Sequence, residues 1–241
     1  MSKRDQGALI HEYQAEGFLP DAVNNYMALL GWSAKDDQEL FSMEELSARF
    51  DLAGVNKSNS KFDYEKCKWI NGEHLKQLSS DELLERALPF LQDLEIPADD
   101  SRLSPALDLV RERAQLLSEI PPIIAPIFCD PIEMDSAALE KLNSKENLDL
   151  HLGKVASAFE SASVWKADEI KATIQQVAEA LEIKMGALMM PLRIAATGSL
   201  SGADLMPMLE LLGQDITVAR VKALAERFTC ESAFCRFAFF R

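Results

Sequence analysis

Apolar residues recur every three or four positions along almost the whole chain, and nothing in residues 78–241 alternates as barrel strands would. Val23, Tyr26, Met27 and Leu30 make one such stripe, Leu103, Leu107, Val110, Ala114 and Leu117 a second, and Ile170, Ile174, Val177 and Leu181 a third. This spacing gathers side chains on one face of a helix, and each face needs a partner to cover it. The fold class predicted is all-α. Boundary signals agree: Pro20 and Pro105 suit a first turn, Ser104 suits an N-cap, and Ser79 with Glu82 has the spacing of a capping box. Gly17, Gly31, Gly198 and Gly213 follow periodic segments, where left-handed caps are expected. Pro89 predicts a kink or split between Asp81 and Leu94, and the polar run from Asp51 to Lys61 predicts a loop. The prolines of Ile120-Pro121-Pro122-Ile123-Ile124-Ala125-Pro126 predict a break between helices. Modules at 1–77, 78–122 and 123–241 follow, with no internal repeat.

With 241 residues, 48% of them hydrophobic, the chain can build one large or several small apolar cores. Its net charge of −14 argues in aggregate against a polyanionic partner, since binding to phosphates draws on Lys and Arg displacing counterions. Charge is nevertheless local. Lys57, Lys61, Lys66, Lys68 and Lys76 crowd one stretch opposed by Asp63, Glu65 and Glu73, which reads either as a basic surface on an acidic body or as a solvated face of mixed charge. Cys67 and Cys129 stand apart, Cys230 and Cys235 are spaced C-x4-C, and His11, His74 and His151 are isolated. That pattern predicts reduced thiols, no disulfide framework and no bound metal. His11 and His74 are expected on partly exposed helices, and no spacing suggests a Ser/His/Asp or Cys/His constellation. No apolar run approaches the roughly 18 residues that span a bilayer. The polar start is unlike a signal peptide, so the expected compartment is the cytoplasm, with no membrane partner.

Five segments occur in a telling order: Met1-Ser2-Lys3-Arg4, then Gly17-Phe18-Leu19-Pro20 running on to Leu30-Gly31-Trp32, then Phe62-Asp63-Tyr64-Glu65-Lys66-Cys67-Lys68-Trp69-Ile70-Asn71-Gly72, Pro191-Leu192-Arg193 and Thr197-Gly198-Ser199-Leu200. Together they resemble the back half of bacterial glutamyl-tRNA synthetases, and colinearity carries the resemblance more than any single motif. The first segment lacks the leading lysine of K-M-S-K-R. No H-I-G-H signature, glycine-rich phosphate loop or βαβ pattern is present in the chain. The resemblance implies the tRNA-recognising part of a longer enzyme: a stem-contact module over 1–77, then two helical bundles forming an α-helical-cage anticodon-binding region. It implies tRNA(Glu) as partner, glutamate and ATP engaged through a catalytic domain outside this chain, ATP and Mg2+ as cofactors of the full-length enzyme, and no DNA. This chain alone would hold no cofactor or catalytic residue and would be inactive.

Residue by residue, the resemblance makes Lys3 an ATP-binding cation, placed where pyrophosphate gains negative charge as it leaves. Lys66 and Trp69, three apart in a predicted helix, become contacts to the inner, D-stem side of the tRNA elbow; a tryptophan at helical spacing reads equally as core. Arg113 corresponds to the arginine that reads the third anticodon base, which separates glutamate from glutamine tRNA. An unstacked cytosine presents O2 and N3 acceptors to a guanidinium fork, and a purine is refused by size. The competing account of Arg113 is a surface pair with Glu112 or Asp108. Arg193 matches the segment that meets the first anticodon base, with Leu205 an apolar contact beside it. Gly202 and Ala203 depart from the relatives' pattern there. Leu205 also continues into a core stripe with Met208, Leu209 and Leu212, while Met185, Met189 and Met190 read as packing residues. A freestanding RNA-binding module and a helical protein-interaction scaffold are the alternative functions. The aromatic tail Phe234-Cys235-Arg236-Phe237-Ala238-Phe239-Phe240-Arg241 predicts either docking onto the last bundle or a sticky end.

Overall fold

The structure is a computed structural model that describes residues 10–56, 61–97, 99–130 and 132–238, with backbone alone for 230–238. It is all-α, as the periodicity predicts. The helices are α1 (Ile10–Glu16), α2 (Pro20–Gly31), α3 (Met43–Arg49), α4 (Tyr64–Gln77), α5 (Ser80–Ala87), α6 (Leu103–Arg111), α7 (Ile120–Phe128), α8 (Ser136–Asn143), α9 (Leu148–Glu160), α10 (Ala167–Ala180), α11 (Gly186–Thr197), α12 (Leu205–Leu212) and α13 (Gln214–Ala238). Among the described residues, β pairing is limited to one antiparallel bridge between Trp32 and Val55. The chain divides into two compact units, Met1–Pro122 and Ile123–Arg241.

In the first unit, α2 packs on α4, and the face it buries is not the apolar stripe alone. Ala22, Asn25 and Tyr26 are buried, while Met27 stays 46% exposed. Asn25 is inside because the segment at 39–41 is in no helix or strand and its backbone lacks regular partners. The Asn25 amide donates to Glu39 O (3.0 Å), and its Oδ1 accepts from Phe41 N (3.0 Å). The same Oδ1 lies 3.0 Å from His74 Nε2, so His74 is buried and not partly exposed as expected. Burial holds its pKa below the ordinary 6.5. Tyr26 closes the neighbouring corner, its hydroxyl accepting from Asp63 N (2.6 Å) at the start of α4.

The local signals fare unevenly. Pro20 opens α2, Ser79 and Glu82 form the capping box of α5, and Pro89 sits in a 3-10 turn that ends α5. Helix α6 begins earlier than expected, at Leu103. Ser104 is therefore inside the helix, and the Asp100 carboxylate accepts from Arg102 N (2.9 Å) at the entry. Gly31 ends α2 without a left-handed cap, because Trp32 turns directly into extended backbone. The proline run is also a correction, since it opens and continues α7. Pro121 and Pro122 occupy the first turn, whose N–H groups have no helical acceptor in any case, and the helix carries Pro126 at the loss of one bond.

The second unit surrounds one apolar core. Leu142, Leu152, Phe159, Ile174, Leu192, Leu209 and Leu224 are fully buried in it, and α9 packs along α13. Trp165 meets Phe159 edge-on at 5.1 Å and donates its indole N–H to Leu209 O (2.9 Å). From α13 the buried Arg220 donates to Pro126 O (2.8 Å), Ala196 O (2.7 Å) and Cys129 O (2.6 Å), and its Nε is 3.3 Å from Asp130 Oδ1. One guanidinium thus supplies donors to the last carbonyls of α7 and α11, which have no intrahelical partners of their own.

Candidate nucleic-acid interface

Helix α4 presents Lys66, Lys68 and Trp69 to solvent in different degrees. Trp69 is 40% exposed, which places its ring at the surface and out of the core. Lys66, half-buried, forms an ion pair with Glu39. Lys68 Nζ is 2.7 Å from Glu119 Oε1, and Lys76 Nζ is 2.7 Å from Glu73 Oε1. The Lys66, Lys68 and Lys76 part of the basic stretch is therefore a face of paired charges; Lys57 lies outside the described residues. Burial works to raise the Glu119 carboxyl, but Lys68 and the Gln115 and Leu116 amides outweigh it and hold the group below its ordinary value.

Arg113 is exposed in the turn just beyond the end of α6. The backbone N–H groups of Arg113 and Ala114 both donate to Val110 O (2.9 Å each), and Ala114 is buried, which turns the preceding side chain outward. Asp108, one of the two partners considered for Arg113, pairs with Arg111 and accepts from the Ser80 hydroxyl. Past the turn the chain is gripped again. Asn71, fully buried on α4, accepts from Leu19 N (2.7 Å) and donates to Gln115 O (2.5 Å). Glu119 Oε2 accepts from Gln115 N (2.9 Å) and Leu116 N (3.3 Å). The corner before α2 is locked into the same region. Gly17 has φ 89°, and a Cβ on it would come within 2.7 Å of Leu117 N and Ser118 N.

In the second unit, Arg193 projects from α11 and donates from Nη1 to Ala203 O (2.7 Å), so its side chain braces the loop between α11 and α12. A Cβ on Gly202 would stand 3.7 Å from that Nη1, ordinary contact that the glycine leaves open. Gly198, at φ 74°, begins the loop where a Cβ would come within 2.1 Å of Glu133 O. Leu205, expected to be an apolar contact beside Arg193, is 0% exposed as the first residue of α12. In this arrangement it offers no surface to a ligand and serves the core, as its stripe with Met208, Leu209 and Leu212 allows. Lys3 and the rest of Met1-Ser2-Lys3-Arg4 lie outside the described residues, as do the side chains of the aromatic tail. Among the described residues, no three His, Cys, Asp or Glu side chains converge as a metal site would need. No helix among them is long and apolar enough to cross a membrane.

The apolar periodicity passed over Glu39, Asn71, Glu119 and Arg220. Asn71 acts on backbone atoms far along the chain, whereas Glu119 holds the N–H groups of Gln115 and Leu116 just before it; only Asn71 carries a signal, its place in the Trp69-Ile70-Asn71-Gly72 segment.

Residues 82–225 match the family of anticodon binding domains, and residues 1–69 match the family described as tRNA synthetases class I (E and Q), catalytic domain. The glutamate–tRNA ligase of Akkermansia muciniphila is 41% identical over 225 residues, covering 93% of this chain and 51% of that protein. The glutamate–tRNA ligase of Methylacidiphilum infernorum is 35% identical over 224 residues, covering 92% of this chain and 50% of its own length. The crystal structure of a glutamate tRNA ligase from Elizabethkingia meningosepticum, in complex with its amino acid, superposes with a TM-score of 0.79 at 32% identity, over 89% of this chain and 42% of that one. The chain thus spans about half the length of these relatives. With the match over 82–225 taking in Arg113, Arg193 and the whole of α6 to α12, the chain belongs to the anticodon binding domain family, among relatives that are glutamate–tRNA ligases.

Proposed function

We propose that this chain is the tRNA-recognising part of a glutamate–tRNA ligase, binding tRNA(Glu) for ATP-dependent attachment of glutamate. The observation that supports this most is that Arg113, an arginine inside the matched anticodon-binding region, lies exposed on a turn fastened at both ends. A backbone so held fixes where the side chain starts, and the planar guanidinium fork suits the edge of one unstacked base. In this reading residues 1–77 contact the tRNA stem through Lys66 and Trp69, while 78–122 and 123–241 form the two anticodon-binding bundles. Arg193 and its loop meet the first anticodon base. Leu205 acts from beneath, as the buried anchor of that loop. Lys3 contacts ATP, and ATP, Mg2+ and glutamate are bound with the catalytic domain of a longer, cytoplasmic enzyme, so this chain alone does not catalyse the reaction.

The test is direct binding of a tRNA(Glu) transcript by the chain, with affinity falling as salt rises by about 0.7–0.9 logarithmic units per contacted phosphate, and without ATP–pyrophosphate exchange. Arg113→Gln should narrow the preference for a cytosine over a guanine at the third anticodon position by about tenfold, the equivalent of about 1.4 kcal/mol. An unchanged preference removes Arg113 from the role. The paired state of Lys66, Lys68 and Lys76 favours one other reading, a helical protein-interaction scaffold. Retention of a protein partner with no tRNA binding at low salt selects it.

A further inference from the structure

We propose that Asn71 is a positioning residue for base discrimination: its side-chain amide fixes the turn that carries Arg113, although Asn71 itself is sealed from any ligand. The inference rests on the anticodon-reading role of Arg113 and adds the part that makes that role selective. Little chain around Arg113 is free to move. Helix α6 ends at Arg111, and the next two fixed points are Val110 O, which accepts from the Arg113 and Ala114 N–H groups, and Gln115, which is held through both its N–H and its carbonyl. Arg113 is thus confined between two anchors.

Of the anchors on Gln115, Asn71 is the one that ties it to α4. Its Nδ2 takes the carbonyl at 2.5 Å while its Oδ1 takes Leu19 N at 2.7 Å, so the amide cannot rotate without losing both bonds. The backbone of α4 comes close enough for this because the next residue is glycine. A Cβ on Gly72 would lie 3.1 Å from Gln115 Cγ and 3.4 Å from its Cα. Glu119 accepts from the Gln115 N–H, and its other oxygen is paired with Lys68 of α4. Helix α4, which carries the proposed stem contacts, is therefore bonded directly to the turn that carries the proposed base reader. A guanidinium fork discriminates through direction, so a small displacement of its anchor costs selectivity before it costs attraction to phosphate.

The experiment measures binding of two transcripts by the chain, tRNA(Glu) and the same tRNA with guanine at the third anticodon position, for Asn71→Ala, Glu119→Ala, Arg113→Gln and the double variant Asn71→Ala/Arg113→Gln. We expect Asn71→Ala and Glu119→Ala each to lower the discrimination ratio several-fold in the parent. Asn71→Ala should lower it no further in the Arg113→Gln background, because the residue acts only through Arg113. If Arg113→Gln lowers the ratio while Asn71→Ala and Glu119→Ala leave it at the parent value, the positioning role is wrong and the base-reading role stands. An equal loss from Asn71→Ala with and without Arg113 also overturns it. A ratio insensitive to Arg113→Gln overturns the base-reading role itself. Glu119 is a partly exposed residue, so if Asn71→Ala does not fold, Glu119→Ala alone decides, and a parent-like ratio there refutes the proposal.

Discussion

Lys66 is paired with Glu39, whose negative charge offsets the attraction of that ammonium for a polyanion. Glu39→Gln should tighten tRNA binding at low salt by about two- to fivefold, the scale of an exposed ion pair of about 0.2–1 kcal/mol, and steepen the salt dependence. Lys66→Ala should weaken both glutamate and glutamine tRNAs alike; an affinity unchanged in both variants would take Lys66 out of the interface. His74 sets a pH dependence of a different kind. Its folded pKa lies below the ordinary 6.5, so the unfolded chain takes up the proton first as pH falls. The stability that neutral His74 contributes is present above about pH 6.5. It is lost progressively below that, down to its folded pKa. Melting temperatures recorded from pH 7.5 to 5 should fall, and His74→Gln should flatten that slope. The apolar stripes made neither effect legible. Periodicity locates what must leave water, whereas Asn25 and Asn71 are buried to satisfy backbone groups of segments distant in sequence.

Among the elements, the ones that the sequence announced have local causes. The capping box at Ser79 and the split at Pro89 depend on residues within one turn of each other, and both form as expected. The three prolines of α7 predict a break, yet two of them fall where the helix has no bond to lose. What completes α7 is remote: Arg220 donates to carbonyls at its end. Arg220→Met should therefore strand buried acceptors in α7 and α11, costing at least about 2–3 kcal/mol at about 1–3 per unsatisfied group. Urea titration with the slope held constant measures this, and a loss below half a kcal/mol by that measure would show the carbonyls finding other donors. The candidate sites divide in the same way. Arg113 stands at the margin of the stripe from Leu103 to Leu117 and is exposed, Trp69 reads equally as core or contact from its spacing and is exposed, and Leu205 stands within a stripe and is core.

For the whole molecule, a net charge of −14 and a tRNA partner are compatible if the cations used for binding are few and placed, and the ion pairs on α4 keep them placed before any ligand arrives. The apolar core gathered by α8 to α13 lies wholly within the second unit. Residues 120–241, which keep α7 whole, should therefore fold alone, giving helical circular dichroism and one cooperative melt; a broad, uncooperative loss would show that this core leans on the first unit. The first unit holds the chain's most consequential dipeptide, Asn71-Gly72. An asparagine followed by glycine is the pair in which the next backbone nitrogen most readily closes a ring on the side-chain amide, expelling ammonia to give a succinimide that water then opens to aspartate or isoaspartate. Held helical and dry, with both amide atoms occupied, this pair is protected from that ageing chemistry. Time spent unfolded removes the protection, and a carboxylate at that position could still accept from Leu19 but could no longer donate to Gln115. With Arg113 reading a base as proposed, storage damage would then surface as weaker discrimination between tRNAs rather than as lost protein.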